Sequence, residues 1–299
     1  GRGTSKFFPV TTRVRQGCVL APSLFSVCMD WIMGRTVSSS SPGASIGDER
    51  FTDLDFADDA VIFAETMEVL VASLDALSKE SESLGLRVSW VKTKIQNFIQ
   101  TVDQASSVSC CGEEVDIVDV FPYLGCQITP DGKSEREVNR RVGLAWGAMS
   151  QLGQRVWHSK YLSRRTKVEV FKRLVLPVLL YGCEAWTLTD DLKRRLDSFG
   201  TSSLRRILGY RWTDFVSNDR LLEETSMKKI SELIFERQMS MFGHVARLSS
   251  DDPAHRILSC SNPVGWKRGR GRPLSSWLRQ MEGFCRRVGT NREWSRKTA

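Results

Sequence analysis

Residues 51–64 read Phe-Thr-Asp-Leu-Asp-Phe-Ala-Asp-Asp-Ala-Val-Ile-Phe-Ala. Leu54 and Phe56 precede a doubly acidic centre, Asp58-Asp59, and Val61-Ile62-Phe63 follow it. This pattern predicts a strand, a tight acidic turn and a second strand: a β-hairpin. Two carboxylates forced together on a turn repel each other, and a bound divalent cation cancels that repulsion because hard cations prefer oxygen ligands. A solvated Asp-Asp turn is the plainer alternative. The apolar flanks argue against it, because strands buried on both sides pin the tip and preorganise a site.

Upstream of the hairpin, residues 13–17 (Arg-Val-Arg-Gln-Gly) read as a polar strand entering a loop. Pro22 suits a first helical turn, and Leu24, Phe25, Cys28, Trp31 and Ile32 follow at helical spacing. Residues 36–49, rich in Ser, Gly and Pro, read as a loop. Downstream, Met67, Leu70, Leu74, Leu77 and Leu84 mark a helix stopped by Gly85. Leu86–Trp90, Ile95–Ile99 and Tyr123–Ile128 read as short strands. After about Ser134 the pattern is helical. Val138, Val142, Ala145, Met149 and Leu152 mark one helix. Ser163 caps a second, which Pro177 kinks. A third runs from Leu192 to Gly209 and a fourth from Ile230 to Met241. The fold class is α+β, with a mainly helical second half.

Lys and Arg number 43 against 35 Asp and Glu, a formal charge of +8. From Val264 onward ten basic residues face two acidic ones, which is already +8, whereas Ile46–Glu68 carries eight acids against Arg50 alone. A basic tail suits phosphate contacts and an acidic pocket suits divalent cations, a combination that a nucleic-acid enzyme needs. Hydrophobic content of 41% excludes wholesale disorder. No apolar run reaches the roughly 18–20 residues of a bilayer span. The eight cysteines include no C-x2-C pair and join no histidines at zinc spacing, so they read as reduced thiols of an intracellular protein. A chain opening on Gly1, without Met or leader, reads as a fragment.

Phe56-Ala57-Asp58-Asp59 resembles the F/Y-x-D-D motif of reverse transcriptases. Arg15-Gln16-Gly17-Cys18, then Leu20, Pro22 and Leu24-Phe25, resembles the preceding block of non-LTR (LINE-type) retrotransposon enzymes. Gly85-Leu86, Lys92-Thr93-Lys94 and Tyr123-Leu124-Gly125 are similar to the next two blocks, in the right order. The resemblance is strong over about 13–130. It is looser beyond, at Leu204–Leu208, Gly243-His244-Val245 and Gly269–Pro273.

The resemblance implies a partial polymerase palm, an antiparallel sheet with helices, over residues 1–130. A helical thumb and extension follow over 131–250, and a basic, partly disordered nucleic-acid-binding segment over 251–299. It implies an RNA-directed DNA polymerase portion that uses Mg²⁺ (or Mn²⁺), an RNA template, a DNA primer or target and dNTPs, without a membrane. Asp58 and Asp59 are implied as metal-binding catalytic carboxylates. Lys92, with Lys94 as alternative, is implied near the triphosphate; Arg15, Gln16 and Gly17 line the nucleotide pocket. Tyr123, Leu124 and Gly125 form the primer grip, and Lys267, Arg268, Arg270 and Arg272 bind nucleic acid and assist nuclear entry from the cytoplasm. The paired arginines of the helical half (140/141, 164/165, 194/195, 205/206) are read either as duplex grips or as helix surface. Trp157, Trp186 and Trp212 are read as core or interface, and Trp266 and Trp277 as stacking platforms for RNA. The family's further aspartate, on a strand before Arg15, has no counterpart in Gly1–Val14, and Asp30, Asp53 and Asp55 do not replace it. This chain is therefore expected to polymerise poorly and to expose apolar sheet surface. The alternative is a non-catalytic nucleic-acid-binding protein derived from such an element.

Overall fold

A computed structural model describes residues 17–98, 106–260 and 276–288. These fold as two compact units. The first holds residues up to Ile95 with the segment that ends at Ile117; the second holds the stretch from Gln96 and everything from Val118 onward.

In the first unit, helix α1 (Ala21–Ser40) starts with Pro22 in its first turn. It runs through the stretch expected to be a loop, as far as Ser40. Within it the hydroxyls are satisfied locally: Ser38 donates to the Gly34 carbonyl (2.7 Å) and Ser40 to that of Thr36 (2.7 Å), so the serines fit the helix without leaving it. Hairpins β1 (Ala44–Ile46)/β2 (Glu49–Phe51) and β3 (Asp53–Phe56)/β4 (Asp59–Ile62) follow. Helix α2 (Met67–Ser83) is capped by the Thr66 hydroxyl. It ends in a Schellman turn: Gly85 at φ +73° lets the Gly85 and Leu86 N–H groups reach the Glu82 and Ser81 carbonyls, each at 3.0 Å. The expected strand at Leu86–Trp90 is instead irregular, and Ile95 makes one isolated parallel bridge to Ile117. No partner strand faces Leu86–Trp90 among the described residues, and apolar spacing alone makes no ladder. Hairpin β5 (Ser107–Cys110)/β6 (Glu113–Asp116) closes the unit, and its Cys110 and Val115 join Leu74 and Ile95 in a small core.

In the second unit, hairpin β7 (Phe121–Tyr123)/β8 (Cys126–Ile128) precedes α3 (Glu135–Gln151). Helix α4 (Arg164–Val170) is capped by Ser163 and widens into a π turn over Phe171–Val175 before α5 (Leu176–Leu179). That irregular turn lies immediately before Pro177, whose missing N–H disrupts the α ladder there. Helix α6 (Asp190–Leu208) is capped by Thr189 and stopped by Gly209 at φ +77°. Next come α7 (Asn218–Thr225), α8 (Ile230–Val245), α9 (Pro253–Ser259) and α10 (Trp277–Val288). The apolar stripes of α3, α4, α6 and α8 meet in one continuous core that includes Met149, Phe171, Leu196 and Ile234. Trp277 is a packed residue rather than a free platform: its indole N–H donates to the Glu184 carbonyl (2.7 Å) and its ring lies 6.0 Å from Phe242. Arg268 and its basic neighbours, with Trp266, Arg15 and Gln16, lie outside the described residues. No described helix is long and apolar enough to cross a membrane.

Four hairpins, each two-stranded, make up all the described sheet. The α+β class therefore holds, with small antiparallel sheets and predominant helix. Each hairpin closes on a two-residue turn whose first residue has positive φ: Gly47, Ala57, Cys111 and Leu124.

Helices α6 and α8 cross at Gly200, where a Cβ would sit 2.7 Å from Ile230 Cγ1. Ile230 is buried and has no room to retreat. Gly200→Ala therefore lowers stability by about 1–2 kcal/mol, the overpacking outweighing the roughly 1 kcal/mol gained in helix propensity. A thermal melt that rises instead would refute the close crossing.

Candidate functional site

Two hairpins carry the residues that the sequence singled out. In the first unit, β3 and β4 pair in the register Leu54↔Val61, Asp55↔Ala60 and Phe56↔Asp59. This leaves Ala57-Asp58 as the turn, with Asp59 the first residue of β4. Ala57 is left-handed at φ +56°, a conformation that costs a non-glycine residue about 1–2 kcal/mol. Asp58 and Asp59 are both exposed. Asp58 thus sits in the turn itself and Asp59 opens the second strand.

The flanks differ from expectation. Val61, Ile62 and Phe63 are partly buried, whereas Leu54 is 40% and Phe56 62% exposed. The hairpin is a two-stranded sheet on its own, and the three consecutive β3 residues Leu54, Asp55 and Phe56 are all exposed. It is tied instead at its base, where the Phe63 N–H donates to the Thr52 carbonyl (2.8 Å) and Gly43 bridges Ala64.

On β3 the carboxyl of Asp55 is shifted upward. Partial burial first, then the charges of Asp53 and Asp30, push its pKa up to about 6. Asp30, on α1, is thus near enough to feel the hairpin. Yet among the described residues no three His, Cys, Asp or Glu side chains converge as a metal cage. The Asp58–Asp59 turn alone does not make a complete binding site for a divalent ion.

Of the other residues implied in the nucleotide pocket, Gly17 adopts φ +87° with open space where a Cβ would stand. Lys92 is exposed on a turn whose N–H donates to the Ser89 carbonyl (2.9 Å). Lys94 pairs with the exposed Asp116 at 2.6 Å. No hydrogen bond or ion pair joins Asp58 or Asp59 to Lys92 among the described residues.

The second hairpin is held far more tightly. Tyr123 pairs with Cys126 across Leu124-Gly125, both with positive φ (+46° and +76°), the signature of a type I′ turn. The hydroxyl of Tyr181 donates to the Leu124 carbonyl (2.8 Å). Arg140 donates to the Gly125 carbonyl at 2.7 Å and Arg141 donates to the same oxygen. Both guanidinium groups also grip the buried Glu137 carboxylate at 2.7 Å, and this carboxylate accepts the Gln127 N–H at 3.0 Å. Burial pushes the Glu137 pKa up, but the Arg140, Arg141 and Gln127 hydrogen bonds outweigh it and hold the carboxyl below its ordinary value. Arg141 stacks over the Tyr181 ring at 4.5 Å. Gly182, at φ +70°, leaves room for Cys126: a Cβ there would stand 2.4 Å from its Sγ.

Arg140 and Arg141 are therefore internal clamps rather than duplex grips. Others of the paired arginines are also engaged: Arg164 with Glu224 (3.1 Å), Arg195 with Asp191 (3.0 Å) and Arg205 with the Val216 carbonyl (2.8 Å). Sequence reading missed Glu137, Tyr181 and Gly182. Tyr181-Gly182 following an apolar helix is the only local signal, and it names no partner.

Residues 1–128 match the protein family described as "Reverse transcriptase (RNA-dependent DNA polymerase)". The chain is 28% identical over 240 residues to a putative uncharacterized transposon-derived protein of Caenorhabditis elegans, covering 78% of this chain and 84% of that protein. It is 22% identical over 215 residues to the RNA-directed DNA polymerase from mobile element jockey of Drosophila melanogaster, covering 70% of this chain and 23% of the polymerase. A 75-residue stretch, 25% of this chain, is 40% identical to the Pol polyprotein from type-1 retrotransposable element R2 of Nasonia vitripennis, of which it covers 7%.

Two outcomes follow from this geometry. Gly182→Ala combines a left-handed alanine with a clash on Cys126, and lowers stability by about 2 kcal/mol or more, whereas Tyr181→Phe, which removes one hydrogen bond, costs about 1 kcal/mol. Equal melting temperatures for Gly182→Ala and the parent would refute the clamp. Separately, the folded state holds the Asp55 proton more tightly than the unfolded chain. Its contribution to stability is therefore present at low pH and is lost as pH rises from 3.8 through about 6. Asp55→Asn should flatten that part of the stability–pH curve; an unchanged slope would remove the assignment.

Proposed function

We propose that this chain, a reverse-transcriptase portion of a non-LTR retrotransposon, binds primer–template nucleic acid but does not extend it unaided. It is an enzyme segment by family, and that family works on a nucleic-acid template with dNTPs and divalent metal ions. The observation carrying the proposal is the acidic turn: two carboxylates on an exposed hairpin, with no third ligand converging on them among the described residues. A two-metal nucleotidyl-transfer centre must bridge both ions, so carboxylates from a second element are required. In the full-length parent, Asp58 and Asp59 would supply one side of that centre, with Lys92 placed to meet triphosphate charge. Gly17 suits close approach of a base pair, because nothing projects from its backbone. The Tyr123-Leu124-Gly125 hairpin would position the primer end, for which rigidity matters: small displacements of a reacting atom cost rate steeply.

The non-catalytic reading for this chain alone draws on the same observation together with the basic surplus of +8. Basic side chains on phosphates give affinity whose logarithm falls linearly with the logarithm of salt concentration.

A labelled primer–template supplied with dNTPs and Mg²⁺ or Mn²⁺ tests both parts. Salt-sensitive binding without primer extension is expected. Template-dependent synthesis abolished by Asp58→Ala would overturn the inactivity, and absence of binding at low salt would overturn the nucleic-acid reading.

A further inference from the structure

We infer that one end of the helical unit carries a stacking platform for single-stranded nucleic acid, built from Tyr161, Trp212 and Phe215. The inference rests on the nucleic-acid reading above and extends it to a site the motifs did not mark. Trp212 departs from the expectation of a core or interface residue. Tyr161 is 98%, Trp212 85% and Phe215 88% exposed, more than any other described aromatic. The residues next to them are tied together: Arg164, three residues after Tyr161 and the first of α4, lies over the ring of Tyr210, two residues before Trp212, at 5.5 Å and pairs with Glu224, which also accepts the Tyr210 hydroxyl at 2.6 Å.

The aromatic loop is rigid. Asp214 accepts the Arg211 N–H at 2.7 Å, and Arg205 holds the Val216 carbonyl at 2.8 Å. Phe215 is kept at φ +49°, an unfavourable conformation for a bulky residue. Such a platform loses little conformational entropy when a base stacks on it.

Charge selects the occupant. Between Glu137 and Glu169 the chain has no acidic residue, and Lys160 and Arg165 lie on either side of Tyr161 in the sequence. Lys160, Arg165 and Arg211 are exposed and close to the aromatics in sequence; of the acids in the second segment Asp214 and Glu224 are occupied by internal hydrogen bonds, and Asp219 and Glu223, also exposed, lie on α7 beyond Phe215. Exposed rings among cations fit unpaired bases joined by phosphates, because every base has a stacking face and every linkage a negative charge.

The test uses the whole chain and a fluorescently labelled single-stranded oligouridylate, followed by anisotropy over a salt series. Replacing Tyr161, Trp212 and Phe215 together by Ala should weaken binding about ten-fold or more while leaving the salt slope and the melting temperature unchanged. Replacing Lys160 and Arg165 by Gln should instead lower the slope, by roughly one for each phosphate no longer neutralised. Unaltered affinity of the triple variant would overturn the platform. So would a shift from dimer to monomer on sedimentation with RNA binding intact, which would make this face an interface between copies. If the parent chain binds no nucleic acid at all, the reading in the preceding subsection falls and takes this one with it.

Discussion

One buried carboxylate organises the helical unit's contact with its hairpin. Glu137 leaves water on α3, and its desolvation would be costly without compensation. Two guanidinium groups and the Gln127 N–H supply it, and the same guanidinium groups reach on to the Gly125 carbonyl. The turn at Leu124-Gly125 holds a non-glycine residue at positive φ, a cost of about 1–2 kcal/mol that these hydrogen bonds, with that from Tyr181, offset. The charged groups, the aromatic ring and the left-handed turn depend on one another, so removing any one leaves a buried polar group without its partner.

The acidic hairpin of the first unit is organised on the opposite principle. It has no buried charge network and no covering layer among the described residues. Its apolar side chains Leu54 and Phe56 stand in solvent, as do Val19, Leu20 and Val27 around the start of α1. An exposed two-stranded sheet with an apolar face is a surface that tends to acquire a partner or to aggregate. A turn of this kind can present carboxylates but cannot by itself fix them in the converging geometry that a metal centre requires.

Local chemistry made much of the fold legible. The Thr66, Ser163 and Thr189 caps, the Gly85 and Gly209 stops and the apolar stripes of α3 and α6 all follow from side chains a few residues apart. The acidic hairpin follows from the apolar residues that flank Asp58-Asp59, but its register does not: the turn is Ala57-Asp58, and Asp59 already belongs to the second strand. What escaped was everything set by distant partners or by hydroxyls bonding to their own backbone. The serine run of α1 continues a helix, its hydroxyls bonding back to carbonyls one turn earlier, where composition suggests a loop. Arg140-Arg141 has the pattern of a surface pair, yet Glu137 and Gly125 occupy it. Trp212 has the character of a core residue, yet its loop faces solvent.

The amino-acid sequence by itself determined the ordered blocks around Asp58-Asp59 and Tyr123-Leu124-Gly125, hence the resemblance to reverse transcriptases. Blocks of this kind are short and continuous, and their spacing is readable without knowledge of the fold. Only the tertiary structure decided which arginines are free to meet phosphate, which aromatics meet water, and whether neighbouring acids converge. Those properties depend on burial and on contacts between residues tens of positions apart, and a linear chain does not record which of its many possible long-range pairings has the lowest free energy.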